Sequence, residues 1–172
     1  MVEISRPIYK DNHISILQAE KSAVPGMYEI KPLLHKESTI ELSDTELALF
    51  IYMQRQLRLG LKTLFNVELC GLYVEEHPDR QVTSYTIPFH IDKLTEQFST
   101  DVYQPHIADY LKSYTLSSSC HQIETFNAGM KEMLDPPSVR KDIKSILARG
   151  LVRSTETALP KSKEIEKVPK IE

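Results

Sequence analysis

The chain has 172 residues, 21 of them basic and 24 acidic, for a formal net charge of −3. With 41% hydrophobic and 26% charged residues it reads as one soluble domain large enough to bury a core. The balance excludes a strongly basic nucleic-acid binder as the default and gives no electrostatic case for an anionic membrane surface; no apolar run approaches the roughly 20 residues a membrane span needs.

Met1–Arg6 lacks the basic-then-apolar layout of a signal peptide. Cys70 and Cys120 are the only cysteines and form no CxxC pair, which argues against a disulfide framework or a cysteine-based zinc site and for a reducing, cytoplasmic setting. Five Gly and ten Pro without repeats exclude fibrous and solenoid classes. Within His13–Leu17, Ile14 and Ile16 alternate with Ser15, a short strand. Val24-Pro25-Gly26 reads as a turn, because Pro presets φ and Gly accepts positive φ. Met27–Lys31 follows as a second strand closed by Pro32, antiparallel to the first.

Ser43-Asp44-Thr45-Glu46 has the S-x-x-E form of a capping box, with Asp44 and Glu46 at the positive end of the helix dipole. Beyond it Leu47, Phe50, Met53, Leu57, Leu61 and Leu64 fall three or four apart, one face of a helix of about six turns. Two strands should follow, within Val67–Glu76 and Val82–Asp92, joined through His77-Pro78-Asp79-Arg80. The second alternates cleanly. Tyr85, Ile87, Phe89 and Ile91 form an apolar row, expected to face the long helix; Ser84, Thr86, His90 and Asp92 form a polar row, expected to line an accessible pocket. Pro88 argues for an edge strand or a bulge. The last third is helical. Pro105–Tyr114 suits a short helix; Ser119-Cys120-His121-Gln122 suggests a cap before Ile123, Phe126, Met130 and Met133; Pro137 can open a further helix bearing Val139, Ile143, Ile146 and Leu147, with Gly150 as its stop.

Together these features give an α+β fold: an antiparallel sheet of about five strands packed on one long helix, with a helical C-terminal extension. Residues 1–115 form the core, 116–153 the extension of the same domain, and 154–172, rich in Lys, Glu, Ser, Thr and Pro, a flexible tail.

One stretch resembles the histidine triad (HIT) superfamily of nucleotide hydrolases and transferases. It runs Pro25-Gly26, five residues, Pro32, two residues, His35, six residues, then Leu42-Ser43-Asp44 with Glu46. The similarity covers roughly residues 13–94. It implies a HIT-like sheet-and-helix core and a small phosphorylated or nucleotide-like ligand. In the family three alternating histidines stand on the last strand, and the central one attacks phosphorus while its neighbours and backbone donors stabilise the oxygens. Here the run is Thr86-Ile87-Pro88-Phe89-His90-Ile91-Asp92. His90 matches either the third histidine, with Thr86 and Pro88 in place of the others, or the central one, flanked by Pro88 and Asp92.

The resemblance makes His90 the candidate acid/base or nucleophile. Ser84 and Thr86 offer hydroxyls, Asp92 a carboxylate, and Arg80 and Gln81 stand in the loop before the strand, where a guanidinium fork suits a phosphate or carboxylate. His35 precedes the long helix and faces either the same pocket or solvent. His77, His106 and His121 have no metal-ligand spacing, so no metal and no cofactor are expected. The basic face of the last helix, including Arg140, Lys141 and Lys144, reads as solvated, its apolar row as core or a dimer seam. Two function classes result: a divergent HIT-like hydrolase or transferase using His90, or a non-catalytic HIT-like binding or assembly subunit, in either case free or as a homodimer, with nucleic acid and membrane not expected as partners.

Overall fold

A computed structural model describes residues 6–20, 22–90 and 107–156. Five strands, β1 (Tyr9–Lys10), β2 (Ile14–Gln18), β3 (Tyr28–Pro32), β4 (Leu69–Glu75) and β5 (Thr83–Phe89), form one antiparallel sheet in the order β1-β2-β3-β5-β4. β2 and β3 pair as expected, Ile16 opposite Ile30, and Gly26 turns between them at φ +80°. β1 was not foreseen; it is two residues long, too short for any periodicity to show.

The long helix α1 (Asp44–Phe65) starts at the expected capping box. The Glu46 N–H donates to Ser43 Oγ at 3.2 Å, and the Ser43 N–H donates to Glu46 Oε2 at 2.7 Å. Asn66, at φ 53°, ends it in the left-handed conformation that favours Asn as a C-cap. Leu49, Phe50, Met53, Leu57 and Leu61 are buried against the sheet, but Leu47 and Leu64 are exposed. The buried stripe instead takes in Glu46 and Gly60: Glu46 is tolerated there because its carboxylate is bonded to Ser43 and Lys36, and Gly60 because Met130 packs onto it.

Three further helices are described: α2 (Ile107–Lys112), α3 (Leu116–Leu134) and α4 (Pro137–Glu156). α3 begins three residues before the cap proposed at Ser119. Thr115 is its N-cap, and Ser119 is already an interior residue whose N–H donates to the Thr115 carbonyl. α4 starts at Pro137 as expected but does not stop at Gly150; it continues to Glu156. The glycine serves close approach instead, since a Cβ at 150 would overlap Thr45 Oγ1 at the start of α1. α3 and α4 pack on α1 through Met130, Leu134, Val139 and Ile143. No helix among the described residues is long and apolar enough to cross a membrane.

β5 is covered on both its faces, and this reverses its expected orientation. The main core contains Ile14, Ile16, Tyr28 and Ile30 with the buried face of α1. Because Thr86 lies opposite Tyr28 and Ser84 opposite Ile30, the polar row of β5 shares the α1 face. Gln54 of α1 donates to Ser84 Oγ, and Ser84 and Thr86 are fully buried. The apolar row, Tyr85, Ile87 and Phe89, joins Ala19, Val24, Met27 and Tyr110 in a second cluster on the other face. The expectation assumed that only one face of β5 would be buried. Pro88 marks no bulge; it stands where β5, an interior strand, has a locally free edge. β3 pairs no further along β5 than Thr86, so at Pro88 the strand has a ladder neighbour on the β4 side alone, and its missing N–H breaks no bond to β3. The Tyr110 hydroxyl takes the place of a β3 partner there, donating to the Pro88 carbonyl at 2.7 Å and accepting from the His90 N–H at 3.0 Å.

Candidate functional site

A groove of about 730 Å³ opens on the sheet face opposite α1. Its floor is laid out by register. At one end Met27, Ile87 and Ala19 are apolar and buried. In the middle, one cross-strand row runs Glu29, Tyr85, Tyr73, each opposite the next on β3, β5 and β4. At the other end stand Lys31, Thr83 and Glu75, the last two paired across β5 and β4, with Arg80 and Gln81 at the rim. Polarity thus rises along the groove, the pattern by which a pocket fixes both the body and the head of a small ligand.

Glu29 is 3% exposed, and Lys31 Nζ lies 2.6 Å from its Oε1. Burial pushes the Glu29 carboxyl up; Lys31 opposes this, while Glu20 and Glu75 add to it. The Tyr85 hydroxyl donates to Glu75 Oε2 at 3.2 Å. Burial and the charges of Glu29 and Glu75 hold its phenol up at about 12, so it stays a donor at any physiological pH. The Tyr85 and Tyr73 rings stack with centroids 6.3 Å apart. Arg80 reaches Glu75 at 3.8 Å and is largely exposed. Gln81 donates through Nε2 to the Pro32 carbonyl, tying the β4–β5 loop to the end of β3.

Of the residues singled out from the sequence, Arg80 and Gln81 line this groove. His90 stands apart, half-buried just beyond β5. Its Nε2 is 2.9 Å from the Pro25 carbonyl, and its ring meets Phe126 edge-on at 5.8 Å and Tyr114 at 6.0 Å. A carbonyl only accepts, so Nε2 carries the hydrogen in that bond and is a donor there rather than a nucleophilic lone pair. Ser84 and Thr86 lie under α1. His35 is exposed beside Glu37 at 3.6 Å. Asp92 is outside the described residues. The structure therefore does not bring the polar row and the groove together. Glu29, Lys31, Glu75, Tyr73 and Tyr85 were missed by the sequence reading, although the alternation of Glu29 and Lys31 with Tyr28 and Ile30 was a signal that β3 carries one charged face.

Among the described residues no group of three or more His, Cys, Asp or Glu is placed to hold a metal ion. Cys70 is half-buried, and burial raises its thiol, with Arg58 opposing.

No family model matches the chain, and no curated protein matches it. Among solved structures the chain is similar to a HIT-like protein involved in cell-cycle regulation from Bartonella henselae, with 12% identity over 74% of this chain and 85% of that one and a TM-score of 0.49. It is also similar to a hypothetical histidine triad nucleotide-binding protein from Sulfolobus tokodaii, with 15% identity over 75% and 83% of the two chains and a TM-score of 0.49. A third is a Zn-bound histidine triad family protein from Mycobacterium smegmatis, with 8% identity over 73% and 86% and a TM-score of 0.48.

Proposed function

We propose that this chain is a non-catalytic HIT-like subunit that binds a small ligand, of the phosphorylated or nucleotide-like kind its sequence motif implies, in the groove opposite α1. One observation carries the reading. The only histidine of the degenerate triad, His90, spends Nε2 on the Pro25 carbonyl, while Thr86, a position where the family has a histidine if His90 is the third, is buried beneath α1. Nucleotidyl transfer needs a lone-pair nitrogen and several donors aimed at the same phosphorus; with Nε2 donating to the Pro25 carbonyl, a neutral His90 keeps its lone pair on Nδ1, no second triad histidine stands beside it in sequence, and the open groove lies on the face of the sheet opposite Thr86. In the groove, Arg80 is the group that would meet a phosphate, and the Tyr73–Tyr85 pair is a surface on which a base or other ring would lie.

The expected result is little or no hydrolysis of adenosine 5′-phosphoramidate or dinucleoside polyphosphates. Robust turnover that is lost in His90→Ala would restore the enzyme reading, with His90 as acid/base or nucleophile.

The assembly side of the reading falls on β4. It is an edge strand of seven residues with Leu69, Leu72, Tyr73 and Val74 exposed, and a long apolar edge is a template for another strand. A second copy of this chain, pairing β4 with β4 antiparallel about a two-fold axis, covers the same patch on both subunits. Light scattering should give the dimer mass for the native chain and the monomer mass for the Leu72→Lys, Val74→Lys double variant with its fold retained; a native monomer at all concentrations contradicts the dimer.

A further inference from the structure

A second groove, of about 560 Å³, lies at the edge of the sheet away from β4, between β1 and the corner where α3 gives way to α4. Its floor is Ile8, Tyr9, Leu134 and Ile143. Ile8, Leu134 and Ile143 belong to the main core, and Tyr9 packs against it. Helical spacing brings the rim to the same place: Lys131 stands one turn before Leu134 on α3, and Arg140 and Lys144 flank Ile143 on α4. Most polar groups here are already committed to one another. The Tyr9 hydroxyl donates to Asp11 Oδ2 at 2.8 Å, which leaves its ring as an apolar wall. Arg140 holds Asp135 through Nε at 3.1 Å and through Nη2. Lys131 and Lys144 have no ion-pair or hydrogen-bond partner among the described residues, and of the acids in the lining Glu132 alone is in the same position. The C-terminus of α3 and the N-terminus of α4 meet at this corner, so their dipoles oppose and the side chains set the sign. The open charge is therefore positive, two ammoniums against one carboxylate, at the rim of an apolar floor. The groove opposite α1 differs on this point, since both its cations face carboxylates, Lys31 at Glu29 and Arg80 at Glu75.

We propose that the corner groove binds a small amphipathic acid: an alkyl or aryl chain lying over Ile8, Leu134 and Ile143, with its carboxylate against the ammoniums of Lys131 and Lys144. An ammonium is a point charge with three rotatable donors, so a pair of them takes a carboxylate without a fixed fork geometry. The apolar body supplies the affinity that an exposed ion pair lacks by itself. This site is separate from the groove opposite α1 and does not depend on what that groove binds.

The test is a nitrogen-15 amide-shift titration of the full chain with three probes, octanoate, octylamine and acetate, at equal concentrations below micelle formation. Octanoate should shift amides of residues 8–9, 131–134 and 140–144 to saturation and leave residues 27–31 and 83–87 in place. Octylamine, of the wrong charge, and acetate, without the chain, should not saturate the corner. The double variant Lys131→Gln, Lys144→Gln, both at exposed positions that leave the core untouched, should weaken octanoate binding by about tenfold. Equal or tighter binding of octylamine or acetate, unchanged octanoate affinity in the double variant, or absence of saturable shifts at the corner overturns the proposal. Octanoate shifting residues 27–31 and 83–87 alone would also overturn it, and would place the acid in the groove opposite α1. Turnover of the phosphoramidate substrate would remove the non-catalytic reading and leave this site standing.

Discussion

Gly26→Ala is expected to destabilise the protein by about 2–5 kcal/mol, the sum of a left-handed backbone penalty and an overpacked contact. Gly26 sits at φ +80°, and a Cβ there would lie 2.6 Å from Phe126 Cδ1 and 2.8 Å from Leu61 Cδ2. Neither neighbour gives way cheaply. Leu61 is fully buried, and Phe126 is stacked on Phe65 at 3.8 Å and abuts His90. The turn also presents the Pro25 carbonyl to His90, so the strain falls on the junction of the β2–β3 turn, the end of β5 and α3. Urea denaturation of the two proteins measures the loss, and a cost below about 0.5 kcal/mol, that of an ordinary surface change, would mean that the junction is loose.

Lys36→Met should cost about 3 kcal/mol at pH 7, the lower end for breaking a buried ion pair by removing one partner. The Glu46 side chain is 6% exposed and Lys36 Nζ is bonded to its Oε2. Burial pushes the Glu46 carboxyl up, but Lys36 together with the Ser43 N–H and hydroxyl outweighs burial, and the net displacement is downward. A carboxyl depressed in the folded state contributes stability that is whole above its unfolded value of about 4.3 and is lost as pH falls through the lower folded value. The gap between native protein and Lys36→Met should therefore be constant near neutrality and close in acid. A gap under about 1 kcal/mol at pH 7 would put this pair with exposed ones, and a gap that persists once Glu46 is protonated would assign the loss to the lysine's aliphatic stem rather than its charge.

The capping box that holds Glu46 was legible in four consecutive residues because both of its bonds are local. Gly26 in its turn, Pro137 as a helix start and the alternation of β5 were legible for the same reason: each depends on backbone geometry over a few residues. The capped start and the apolar periodicity also foretold α1 as the long helix of an α+β domain. Gly150 shows the limit. In sequence it is a helix stop, yet its requirement comes from Thr45, more than a hundred positions away in the chain.

The candidate site was less legible than the fold. Alternation in β5 divides its residues into two rows, but period two says nothing of which row is covered by what. Tertiary structure decided that by packing α1 on one face and Tyr110, Met27 and Val24 on the other. Burial of Ser84 became tolerable once Gln54, thirty residues earlier, could reach it. The same packing sent His90 to the Pro25 carbonyl and left Glu29, Tyr85 and Tyr73 to build the groove. By itself the sequence determined most of the local elements, the capping box of the long helix and the loss of two histidines from a triad, because those are properties of neighbouring residues. The assignment of faces, the partner of each buried polar group and the place of the groove belong to contacts between distant segments, and only the folded chain could decide them.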